Sequence, residues 1–133
     1  MTDVARQDET YDPAHPPNRH RWLELDEDAR MGLIVEYHKR AGIHVANDRL
    51  HAAMHLVVEN QLAIGERVVV DTAARLQGEG LDRHDTIHAL GSVLIDRLVE
   101  VMRGETKATK EELARKYLDD LAALTAERWQ NER

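Results

Sequence analysis

The sequence contains no cysteine. A disulfide framework and thiolate metal ligands are therefore excluded, so any transition-metal site has to use nitrogen and oxygen donors. No apolar run approaches the roughly 20 residues that cross a membrane, and the first residues, MTDVARQDET, lack the basic and then apolar order of a signal peptide. These absences predict a cytoplasmic protein that spans no membrane.

Positive charge is also in short supply. The chain has 25 acidic and 18 basic residues, which gives a formal net charge of −7. This excess of negative charge argues against electrostatic binding to nucleic acid or to anionic lipid. At 133 residues the chain has the length of about one domain. We therefore expect one core and neither a nucleic acid nor a membrane as partner, and a homodimer stays open.

Proline is confined to the start of the chain. Pro13, Pro16 and Pro17 are all of the prolines, and few apolar residues surround them. Such a composition does not supply the apolar surface that a packed core needs. It predicts a flexible polar arm over residues 1–20, followed by a single helical domain over residues 21–133 that carries the metal site described below. His15 and His20 lie in this arm and are interpreted as solvated.

From Trp22 onward the apolar residues recur at intervals of three and four, which is typical of helices, and strand alternation is hard to find. About five helices are expected. Asn47, Asp82 and Thr109 are candidate N-caps, and Gly65 is a candidate helix end. A short strand is the alternative for the valine run in RVVVDTAARL. The short connections favour antiparallel neighbours, so the predicted fold is an all-α small helical bundle.

Two histidine pairs stand in two of these helices. LHAAMHLVVENQLA places His51, His55 and Glu59 at steps of four, and LDRHDTIHALGSVL places His84 and His88 at the same spacing. Imidazoles at i and i+4 lie about one turn apart and can bind one small divalent cation. If both pairs point into one groove, they predict a metal site with four histidine ligands. Glu59 is then a fifth ligand, a carboxylate bridging to a second metal, or a general base.

Imidazole donors suit zinc, iron, nickel and copper, and we expect zinc or iron first. The alternative is a set of hydrogen-bonded packing histidines without metal. That arrangement would leave buried nitrogens needing partners, at about 1–3 kcal/mol for each unsatisfied group. On a helical wheel His51 lies inside the apolar stripe and Glu59 lies nearest to solvent. His38 and His44 are interpreted as core or surface residues rather than ligands.

Residues beside the histidines have expected supporting roles. Asp82 and Asp85 are placed to orient imidazoles from outside the ligand shell. Arg83 is interpreted as a surface or interhelical ion-pair residue that could also hold an anionic substrate. Asn60 and Gln61 are expected to tie helices together or to bind a ligand.

The combination of LHxxxHxxVENQ with RHxxxHxLGSV resembles an uncharacterised bacterial family of small helical proteins, a domain of unknown function. The similarity covers roughly residues 47–102. It brings no activity, but it implies that a set of polar residues belongs together, namely His51, His55, Glu59, Asn60, Gln61, Arg83, His84 and His88.

Three functions therefore stay open. The chain is a metal-dependent hydrolase or oxidoreductase acting on a small molecule, a protein that senses or buffers metal ions, or a structural module in which metal clamps two helices or is absent. A carboxylate among imidazoles favours the enzyme, because a mixed ligand set is typical of a reactive centre rather than a closed structural one.

Overall fold

A computed structural model describes residues 10–45 and 47–132, and within these ranges it contains helices and no strand. The predicted all-α class is confirmed, and the valine run is helical. The described helices, in chain order, are α1 (Arg19–Glu24), α2 (Glu27–Ala41), α3 (Asp48–Ile64), α4 (Arg67–Gly78), α5 (Arg83–Met102), α6 (Lys110–Ala123) and α7 (Ala126–Glu132).

Three helices begin at the predicted polar caps, and one ends at the predicted glycine. The Asn47, Asp82 and Thr109 side chains accept the backbone N–H three residues later, at the starts of α3, α5 and α6. Gly65 ends α3 with a φ of 82°, a left-handed conformation that glycine adopts without the penalty of a Cβ.

The described residues form seven helices, two more than the five expected. The six-residue α1 precedes the first expected helix, and the expected last helix is divided at Leu124, which is extended. Thr125 caps the start of α7, because its side-chain oxygen accepts the Arg128 N–H at 3.1 Å. The Glu79 carboxylate accepts the Ala126 N–H at 2.9 Å, which holds this break against the end of α4.

Helix α3 is the central element and packs against α1, α2, α4 and α5. One apolar cluster joins its Met54 and Val58 to the helices that follow it. A second cluster joins its Ala52 and Leu56 to α1, α2 and the segment before α1. Because apolar neighbours cover α3 on both sides, polar residues that follow its apolar stripe are buried as well.

Helices α3 and α5 approach closely at Gly91. A Cβ on this residue would overlap the side chain of Met54, which is buried. Gly91 lies three residues after His88, and Met54 directly precedes His55. The missing side chain therefore allows the two helices to bring their histidines together.

The segment before α1 packs against this helical body. Tyr11 and Pro13 are buried, and their carbonyls accept hydrogen bonds from Arg40 and Arg83 at 3.0 and 2.9 Å. The predicted flexible arm therefore does not describe these two residues. Residues 1–9 of that arm lie outside the described residues. Over the described ranges, no helix has the length and apolar character needed to cross a membrane.

Candidate metal centre

Five histidines from three helices meet beside α3. They are His38 of α2, His51 and His55 of α3, and His84 and His88 of α5, and we call them the histidine cluster. The ring centroid of His55 lies 4.9, 4.9, 5.5 and 5.0 Å from those of the other four, taken in chain order. His55 is therefore at the centre of the cluster.

The cluster has the composition and spacing of a metal site. Two groups of three histidines have ligand atoms that all lie within 4.8 Å of one another: the first is His38, His51 and His55, and the second is His55, His84 and His88. The two predicted pairs thus lie in one cluster, but neither group contains all four of the predicted histidine ligands, so the four-histidine shell stays a prediction. These buried and partly buried groups could hold a metal ion.

The shortest distance in the cluster joins His55 and His88. Their Nε2 atoms are 3.1 Å apart. Two nitrogens bound to one ion at about 2.0–2.1 Å are separated by about 2.9 Å at a right angle and about 3.4 Å at the tetrahedral angle. The observed separation lies between these values, and it is also the length of a hydrogen bond from His88 Nε2 to His55 Nε2.

Three further nitrogens in the cluster are buried without a partner. Within the described part of the chain, the Nε2 atoms of His38, His51 and His84 have no hydrogen bond. His38 Nδ1 lies 2.7 Å from the carbonyl oxygen of Ile34. A carbonyl only accepts, so Nδ1 carries the proton and the lone pair of His38 is on Nε2. This arrangement, with one ring nitrogen donating to a carbonyl, is typical of metal-ligating histidines.

A chain of hydrogen bonds orients His55 in the same sense. Arg83 donates to both carboxylate oxygens of Glu59, at 2.7 and 2.9 Å, so the carboxylate is ionised. The Tyr11 hydroxyl donates to Glu59 Oε2 at 2.6 Å. Having given its one proton to Glu59, the Tyr11 oxygen accepts from His55 Nδ1 at 3.1 Å. His55 therefore also keeps its lone pair on Nε2, toward His88. We call Tyr11, Glu59 and Arg83 the support network.

Glu59 is not where the helical wheel placed it. It was expected nearest to solvent but is 1% exposed. That expectation is wrong because Tyr11 and Trp22 belong to an apolar cluster that covers this side of α3. Both Glu59 oxygens are bound by Arg83 and Tyr11, and the groups of metal-ligand atoms found among the described residues do not include this carboxylate. Its role as a ligand or base stays a prediction.

Other residues near the motifs have partners elsewhere. Arg83 forms the interhelical ion pair that was one of its two expected roles. The Asn60 side chain accepts from the Trp22 indole at 2.9 Å, and the Gln61 side chain accepts from the Tyr117 hydroxyl at 3.1 Å. Both amides thus tie helices together. Asp82 caps α5.

The sequence reasoning missed His38 and Tyr11. His38 follows Ile34 by four residues on the buried face of α2, and an imidazole on an apolar face was a usable signal. Tyr11 gave no such signal, because it stands in a proline-rich segment far from the motifs. His15, His20 and His44 are exposed and lie outside the cluster.

Burial disfavours the charged form of the four cluster histidines on α3 and α5. Desolvation, with a smaller contribution from neighbouring imidazoles, lowers the pKa of His55 to about 2 and that of His88 to about 4. Burial also lowers the pKa of His51 and His84. Burial first, and then the charge of Glu59, raise the pKa of Tyr11, so its hydroxyl stays protonated. Near neutral pH the four imidazoles of α3 and α5 are therefore neutral, as metal ligation requires.

Comparison with known proteins identifies no relative of this chain. No family model matches the chain, and no curated protein or solved structure matches it. The resemblance to an uncharacterised helical family stays a prediction.

Proposed function

We propose that this chain is a metalloprotein that binds one divalent transition-metal ion in the histidine cluster. The observation that carries the proposal is the set of three buried Nε2 atoms without hydrogen bonds, on His38, His51 and His84. Each unsatisfied buried group costs about 1–3 kcal/mol. An ion held by the first group of three would bind His38 and His51, and one held by the second group would bind His84, whereas packing alone gives none of these nitrogens a partner.

The nitrogen donors limit which metal ions are expected at the site. Imidazole nitrogens suit zinc, iron, nickel and copper, whereas calcium and magnesium prefer oxygen. Zinc or iron remains the first choice. A single ion is favoured because the two groups of three share His55, whose Nδ1 is occupied by Tyr11. Its Nε2, which contacts His88 Nε2 at 3.1 Å, is the one nitrogen it can offer to an ion, so the two groups cannot both be complete around separate ions.

The support network gives Glu59 a role different from base catalysis. Its carboxylate holds Tyr11, and Tyr11 accepts the Nδ1 proton of His55. Groups outside the ligand shell that fix a histidine in this way strengthen metal binding by about 10 to 100-fold. We therefore treat Glu59, Tyr11 and Arg83 as positioning residues for His55.

A metal-dependent hydrolase or oxidoreductase is the second candidate function. The observation that favours it is a surface pocket lined by His38 and His51, through which a small molecule could approach the cluster. A metal-sensing protein or a structural clamp would need no such opening.

Metal analysis tests the proposal. Protein made without a histidine tag would be analysed for metals, stripped with a chelator and titrated with Co²⁺, while its visible absorption is followed. We expect about one ion per chain and ligand-field bands that require histidine ligation. His55→Ala should abolish both, and the control His20→Ala, at an exposed histidine of α1, should change neither.

The result that contradicts metal binding is equally specific. Wild-type protein without stoichiometric metal and without cobalt bands would mean that the cluster is a set of packing histidines. Full cobalt binding by a double variant with His84→Ala and His88→Ala would instead place the ion in the first group, with His38, His51 and His55. For the enzyme candidate, the loaded protein would be tested on esters, amides and oxygen-dependent substrates.

A further inference from the structure

A pocket lies between α2, the connection that follows it and α3, and we call it the α2–α3 pocket. It has a volume of about 170 Å³. An apolar cavity of about 150 Å³ holds a benzene molecule, so the α2–α3 pocket has room for a ring of that size. Its apolar lining includes Val35, Ile43, Val45 and Ala52.

The inner wall of this pocket belongs to the histidine cluster. His38 and His51 line it, and their Nε2 atoms are two of the three buried nitrogens without a partner. A molecule in the pocket would therefore lie against the His38 and His51 side of the cluster. The support network occupies a different side of His55, because it binds Nδ1. The pocket thus adjoins the imidazole rings of His38 and His51, whose Nε2 atoms are themselves buried, and not the positioning residues.

The charges around the cluster indicate which ligand fits. The cluster imidazoles are neutral ligands, and the charge of Glu59 is offset by Arg83. A divalent ion bound there would keep its positive charge uncompensated, which attracts an anion. Lys39 also lines the pocket, and its ammonium pairs with Glu36 at 4.0 Å. Asp48 also lines it, but one oxygen of its carboxylate accepts the Val45 N–H at 3.1 Å.

We infer that the α2–α3 pocket admits a small anion with an apolar body, of the aromatic carboxylate class, whose carboxylate binds the metal ion between His38 and His51. This inference rests on the proposed metal site. The apolar walls enclose the ring, and the ion takes the charged group. A ligand of this class would complete the coordination shell from the open side.

The experiment uses benzoate as the probe. Cobalt loading of the full chain is measured first, and benzoate and acetate are then titrated separately while the cobalt bands are followed. We expect both to shift the bands, with benzoate at least about tenfold tighter than acetate, because only benzoate has a ring to bury in the pocket.

Variants that fill the pocket locate the binding site. Val35→Trp and Val45→Trp each add an indole at a partly exposed position in the pocket lining. Each should weaken benzoate at least about tenfold and leave cobalt content unchanged. Leu98→Trp is the matched control, because it adds the same group at a similarly exposed position on α5, outside the α2–α3 pocket.

Each outcome separates the two proposals. Failure of cobalt to bind would contradict the metal site itself. Full cobalt binding with bands that ignore benzoate would overturn only the pocket inference. So would equal affinities for benzoate and acetate, or wild-type benzoate affinity in both tryptophan variants that line the pocket.

Discussion

Replacing Arg83 by methionine tests whether the support network depends on a buried ion pair. The Arg83 side chain is 13% exposed, and Glu59 is 1% exposed. Arg83 donates two hydrogen bonds to this carboxylate and one to the Pro13 carbonyl. In Arg83→Met the buried charge of Glu59 loses its counterion. Breaking such a pair from one side costs about 3–5 kcal/mol, out of a typical total of about 5–15 kcal/mol.

The measurement is urea unfolding of metal-free protein at pH 7.5, followed by circular dichroism. We expect Arg83→Met to lower the free energy of unfolding by about 3–5 kcal/mol. The matched control is Arg67→Met, which breaks a pair with Asp71 whose side chains are 89% and 67% exposed. An exposed pair contributes about 0–1 kcal/mol, so the control should change little.

A second substitution separates the effect of charge from the loss of packing. Glu59→Gln removes the buried charge and keeps the shape of the side chain. We therefore expect the double variant Glu59→Gln/Arg83→Met to be more stable than Arg83→Met alone, since no uncompensated carboxylate remains. If the double variant is less stable than the single one, or if Arg83→Met costs no more than Arg67→Met, the buried ion pair does not stabilise this fold.

The remaining predictions concern the tyrosine, the close helix contact, pH and the metal. Tyr11→Phe should weaken cobalt binding by about 10 to 100-fold in a competition titration with a chelator, and unchanged affinity would show that His55 needs no partner on Nδ1. Gly91→Ala should lower the free energy of unfolding by about 1–3 kcal/mol through its overlap with Met54, while Gly32→Ala, where a Cβ meets nothing within 4 Å, should be neutral or stabilising in the same urea experiment. In the metal-free protein, unfolded histidine takes up a proton as pH falls below about 6.5 and buried His55, with a pKa of about 2, does not. The free energy of unfolding should therefore decrease as the pH is lowered, and His55 should contribute about 1.4 kcal/mol of this decrease at pH 5.5. An equally steep decrease in His55→Gln would contradict this. A chelator should lower the melting temperature at neutral pH, because an ion in either group of three joins α3 to a neighbouring helix; identical melting curves with and without chelator would argue against a bound ion.

Local features of the chain were predictable from its sequence. Asn47, Asp82 and Thr109 cap helices because their side chains satisfy N–H groups a few residues away, and this chemistry does not depend on the rest of the fold. The i, i+4 spacing of His51 with His55, likewise, fixes a common helix face before any packing is known.

Features that depend on distant parts of the chain were not predictable in the same way. Glu59 is buried because Tyr11 and Arg83, 48 and 24 residues away in sequence, both bind it. A wheel drawn for one helix contains neither partner. His38 joins the cluster from α2 without a second histidine at helical spacing, so its pattern resembles that of an ordinary core residue. The break at Leu124 likewise involves Glu79 of a different helix.

Because His55 is central, it is the one cluster histidine that the others cannot replace. His55 belongs to both groups of three potential ligands, and the other four histidines belong to one group each. Loss of His38 or His51 leaves the group with His84 and His88 whole, and loss of either of those leaves the first group whole. The outer positions could thus be exchanged one at a time during evolution while a three-nitrogen site persists. Position 55 has no such substitute, so selection on metal binding would act most strongly there.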